Sequence, residues 1–179
     1  MKAANRIVLL LLVVLSNACV FGETAKEGME SVEYVHKKIV AIAAELEKNI
    51  EKCSLIRANA KVPKIDSSKL KSWDVDKQSI VNGLLYLSNR NFESCEGGAR
   101  VELAYQLGVL KSLGEYYDIE LPPIDEINST LIFPTNRDIS AELVFNKLPK
   151  EVKVYILDSV GNDPFDLLRT VAENKILDE

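Results

Sequence analysis

The stretch MESVEYVHKKIVAIAAELEKNIEKCSLI, residues 29 to 56, decides how this chain folds. Met29, Val32, Val35, Ile39, Ile42, Leu46, Ile50, Cys53 and Ile56 recur at spacings of three and four, so they share one stripe of a helix expected from about Gly28 to Ala60. Glu45, Glu47, Lys48, Glu51 and Lys52 take the other side. An apolar stripe opposite a charged one means a helix laid on a core, with Cys53 turned inward.

Residues 61–71 follow with Pro63 and two serines and read as a connector. A second helix, about Asp74 to Glu93, carries Ile80, Leu84, Leu87 and Phe92, and Cys95 comes just past its end. Gly97 and Gly98 stop it in the manner of a C-terminal cap that needs positive φ. A third helix, about Ala99 to Tyr117, presents Leu103, Leu107, Leu110 and Leu113. The short Glu96 to Gly98 turn makes these two a helical hairpin, and a Cys53 to Cys95 bridge ties its top to the first helix.

The period fails after Tyr117. DIELPPIDEINSTLIFPTN, residues 118–136, has three prolines and reads as an irregular surface excursion, with a short strand at Thr130 to Phe133 as the alternative. Helical patterning returns in DISAELVFNKL, and Pro149 suits the first position of a short helix in KEVKVYILDSVG. There the alternation Val152, Val154, Ile156 leaves a strand as the alternative, which would complete a strand pair. The last helix is expected to start at Asp163 as N-cap with Pro164 at N1, and to bury Phe165, Leu168, Val171, Ala172 and Ile176. The fold class is mainly α: one domain over residues 23–179, a bundle of five to six helices.

Ahead of this domain, Lys2 and Arg6 precede an unbroken apolar run from Ile7 to Leu15, too short to span a bilayer. With small residues after it, residues 1–22 read as a secretory signal peptide cut after Gly22. In the alternative, residues 1–18 are a lipoprotein signal and Cys19 is lipidated, although Ser16 stands where a large apolar residue is usual. Either way only Cys53 and Cys95 remain, the even number expected in an oxidising compartment. Cutting before an unlipidated Cys19 would strand an odd thiol. Losing Lys2 and Arg6 leaves 20 cations against 27 anions, a net charge of −7. Such a chain lacks the clustered cations that nucleic acid or anionic lipid would need.

Little here resembles a catalytic or metal motif. The one imidazole, His36, lies between Val35 and Lys37 on the first helix, where it reads as a solvated or packing histidine. One histidine and two bonded cysteines supply no zinc site, and no cofactor is expected. No Gly-rich phosphate loop surrounds Gly97 and Gly98. Glu115, Asp118, Glu120, Asp125 and Glu126 crowd a region without Lys or Arg from 113 to 136, but their spacing is not that of an EF-hand. Asn128-Ser129-Thr130 is a glycosylation sequon if the cell is eukaryotic.

The same acidic stretch is unusually apolar and aromatic. Tyr116, Tyr117, Leu121, Ile124, Ile127 and Phe133 either fold back to cover the bundle or form a partner-binding lip with an acidic rim, suited to a basic or amphipathic segment. The leading expectation is therefore a non-enzymatic exported binding protein of the bacterial cell envelope, periplasmic with extracellular as the alternative, and with any membrane contact through a lipid on Cys19. Its partner would be another envelope or secreted protein, as for an assembly factor or an immunity-type inhibitor. A carrier of a small apolar ligand, with a cavity lined by Leu46, Leu84 and Leu107, is the alternative. A hydrolase using Asp118 and Asp125 is the second.

Overall fold

The structure is a computed structural model that describes residues 23–131 and 136–178, with side chains over 26–127 and 138–178. Residues 1–22, read above as a signal peptide with Cys19 as a lipidation alternative, and Ile132 and Phe133 lie outside the described residues. Every described element is helical: α1 Glu23–Asn59, α2 Ser67–Lys71, α3 Lys77–Glu96, α4 Ala99–Tyr117, α5 Ile124–Leu131, α6 Asn136–Lys147, α7 Lys150–Val160 and α8 Leu167–Glu173. The mainly helical fold class is thus the one that the periodicity gave. Three of these helices have eight residues or fewer, which is why the sequence pattern suggested five or six.

No strand occurs among the described residues. Val152, Val154 and Ile156 lie in α7, where Val152 and Ile156 are buried one turn apart and Val154 points out. Thr130 and Leu131 close α5, so residues 124–131 of the excursion are helical rather than irregular, and Pro123 starts the helix by accepting from the N–H groups of Glu126 and Ile127.

The chain packs as two compact units: unit 1 falls within residues 1–48 and 98–133, unit 2 within 49–97 and 134–179. In unit 2, Ile80, Leu84 and Leu87 of α3 join Phe145, Leu148, Val152, Ile156, Val160, Phe165 and Ile176 in one core. The Tyr86 and Phe145 rings are 4.9 Å apart, and Gly83 lets Leu148 reach the α3 backbone. Cys53 and Cys95 form the expected disulfide, with Cα atoms 5.9 Å apart. Cys95 sits inside the last turn of α3, because that helix starts three residues later and ends three residues later than its apolar pattern indicated. The cause is local: Asp74 takes a left-handed conformation, and the Asp76 carboxylate caps the N–H groups of Gln78 and Ser79. Gly97 ends α3 with φ +73°, as the cap reading required.

Asp163 does not cap α8; Asp166 does, accepting from the Arg169 N–H. The buried Asn91 amide donates to the carbonyls of Gly161 and Asp163, which holds that segment in a turn and delays the helix. Leu168 consequently faces outward, 80% exposed. Unit 1 holds the first part of α1 with α4 and α5, and its buried apolar residues include Val32, Val35, Ile39, Leu46, Leu103, Leu107, Leu110 and Ile124.

Candidate functional site

The acidic excursion folds onto the end of α4. Asp118 adopts the left-handed conformation at φ 54°, and its N–H and that of Ile119 both reach the Gly114 carbonyl, so the chain reverses sharply there. Leu121 then lies against Gly114: a Cβ at that position would stand 2.8 Å from Leu121 Cγ and 3.1 Å from the Ile119 carbonyl oxygen. Only glycine fits. Ile124 is buried, and Lys111 of α4 donates to both carboxylate oxygens of Asp125 at 2.8 and 2.9 Å, fastening α5 to α4.

This reversal leaves a cleft of about 540 Å³ within unit 1. Gly114, Ile119, Leu121, Pro122, Pro123 and Ile124 give it apolar walls, and Glu115, Asp118, Asp125 and Glu126 place four carboxylates around them. Lys111 is the one cation among the lining residues. Its ammonium pKa is raised by the hydrogen bond from Lys111 to Asp125, then by the Asp125 charge, with a smaller contribution from Glu115.

The expected partner-binding residues divide. Leu121 and Ile124 line the cleft, but Ile124 is buried and Leu121 is half-buried on Gly114. Tyr117 packs on Gly28, where a Cβ would fall 2.6 Å from the ring. Ile127 is half-buried, Tyr116 is 80% exposed, and Phe133 lies outside the described residues. Asp118 and Asp125 both line the cleft, and both Asp125 oxygens accept from the Lys111 ammonium. Leu46, Leu84 and Leu107 are each buried and none lines the cleft.

Among the described residues, no three His, Cys, Asp or Glu side chains are grouped to hold a metal ion, and no helix is long and apolar enough to cross a membrane. Sequence reasoning missed Lys111 and Gly114. Its signal would have been Lys111 itself, the last cation on α4 before the acidic run. Compared with protein-family models, with curated proteins and with solved structures, the chain finds no match.

Proposed function

We propose that this protein is a non-enzymatic, exported binding protein of the bacterial cell envelope that takes a basic, extended segment of another protein into the acidic cleft of unit 1. The observation that carries this reading is the cleft's composition: four carboxylates around Leu, Ile and Pro walls against a single lysine, which pairs with one of them, Asp125. A segment bearing Lys or Arg between apolar residues complements both features, and the carboxylates would steer its approach. A disulfide in the described chain is compatible with an oxidising, exported location.

The test is calorimetric titration of the purified protein with an extended Lys/Leu/Pro peptide and with its Glu/Leu/Pro counterpart, at low and high salt. The lysine peptide should bind, weaken as salt rises, and lose affinity about tenfold when Asp118→Asn and Glu126→Gln are combined. Asn tolerates the left-handed conformation at 118, so the fold should survive. Equal affinity for both peptides, or an unchanged affinity in the double variant, would refute the cleft as the site.

A further inference from the structure

The side of α4 turned away from its buried residues is unlike the outer side of α1. With 3.6 residues per turn, the positions opposite Leu103, Gln106, Leu107 and Leu110 are Val101, Tyr105, Gly108, Ser112 and Tyr116. Val101 is 73% exposed, Tyr105 64% and Tyr116 80%. No Lys or Arg falls on this line over four turns, whereas α1 shows Glu45, Glu47, Lys48, Glu51 and Lys52 to solvent. Isolated exposed apolar side chains are ordinary, but here Val101, Tyr105 and Tyr116 share one line of the helix, interrupted only by the small residues Gly108 and Ser112.

Gly108 sharpens the case. It lies in the middle of α4, where glycine weakens a helix relative to alanine, and a Cβ there would meet nothing within 4 Å. Packing among the described residues therefore gives no reason for a glycine. With Ser112 one turn on, it leaves a shallow saddle between Tyr105 and Tyr116, the relief that lets a second helix approach closely. Glu102 borders the stripe on one side and Glu115 on the other, both exposed. The cations nearest the stripe's flanks are Arg100 and Lys111, and Lys111 is held by Asp125.

We infer that this outward face of α4, centred on Gly108 between Tyr105 and Tyr116, docks an amphipathic helix of a partner protein whose apolar stripe is bordered by Lys and Arg. The acidic borders select the basic flanks and the apolar line selects the stripe. This goes beyond the cleft reading, because it concerns another face of α4 and another shape of ligand, and it stands if the cleft is inert.

The experiment is fluorescence anisotropy of a labelled Leu/Lys amphipathic helical peptide of about 18 residues, roughly five turns, titrated with the purified protein, with a Leu/Glu peptide as control. The Leu/Lys peptide should bind and the Leu/Glu peptide should not. Gly108→Leu fills the saddle but adds helix propensity, so it should melt no lower than the parent while binding about tenfold more weakly. The combined Asp118→Asn and Glu126→Gln cleft variant should bind this helical peptide as the parent does. Unchanged binding in Gly108→Leu, or loss in the cleft variant alone, would overturn the assignment. So would self-association of the protein that Gly108→Leu abolishes, which would give the face to a second copy, or Gly108-dependent binding to neutral phosphatidylcholine vesicles, which would give it to lipid.

Discussion

Unit 2 fastens distant parts of its chain with directed bonds. Asn91 holds the carbonyls of Gly161 and Asp163, and Asn174 accepts from the Ile65 N–H while donating to the Pro63 carbonyl. The Asp66 N–H donates to the Tyr155 hydroxyl, Ser88 bonds the Phe165 carbonyl, and the Cys53–Cys95 bridge adds a covalent tie. In unit 1, shape fits stand out: Tyr117 lies on Gly28, Leu121 lies on Gly114, and the Lys111–Asp125 pair is exposed. Directed bonds between distant residues fix one register, since an alternative packing would leave buried donors and acceptors unsatisfied. Closure by shape is instead sensitive to a single added methyl group. Both proposed binding surfaces belong to unit 1.

Removing the disulfide should produce the largest effect and should fall on unit 2. The bridge spans a sequence separation of 42, for which the chain-entropy model gives about 4 kcal/mol. Replacing both Cys53 and Cys95 with alanine is expected to lower the urea midpoint by a corresponding amount. Amide exchange should accelerate in α3 and around Cys53 while α4 and α5 keep their protection. If α4 and α5 lose protection equally, the two units unfold together and the contrast fails.

Gly114→Val is the matching strike at unit 1. The new methyl groups would meet both Leu121 and the Ile119 carbonyl; the side chain can rotate away, but the backbone oxygen cannot without opening the reversal. Overpacking of this kind costs about 2 kcal/mol. The variant should lose protection in residues 119–127 and retain it in α3, and a stability equal to the parent's would show that Leu121 is not what closes unit 1.

What was legible in the sequence follows the same division. The α1 stripe, the inward Cys53, the Gly97 cap and the bounds of α4 all came from local patterning, because each depends on residues within a turn or two. The start of α8 did not, since Asn91, some seventy residues away, holds the preceding segment. Nor did α5 show itself: its start rests on the backbone carbonyl of Pro123, and among prolines the acidic first turn of Asp125 and Glu126 reads as part of a loop. The outward stripe of α4 was present as Val101, Tyr105 and Tyr116. Periodicity alone cannot say which of two apolar faces the chain covers.

The smallest effect expected is a difference in pH response. In unit 2, the Asp66 and Asp76 carboxyls cap α2 and α3 and are held below their ordinary value of 3.8, chiefly by the Ser68 and Ser79 hydroxyls and then by backbone N–H groups. Their stabilising contribution is present above 3.8 and is lost as pH falls through the lowered folded values. In unit 1, α4 has Gly98 at its N-cap with no side-chain bond, while the Lys111 ammonium is raised above 10.5, so its contribution is present below that value and fades as pH rises through the raised one. Acid should therefore loosen the first turns of α2 and α3 at Ser68, Lys69, Gln78 and Ser79, and alkali should loosen the tie between α4 and α5. Amide exchange followed across both limbs checks this. Asp76→Asn keeps an oxygen acceptor without the titrating charge, so Gln78 and Ser79 should stay protected in acid while Ser68 and Lys69 still open. Loss of protection at the start of α4 in that same acid range would mean that the response belongs to the whole molecule rather than to these two caps.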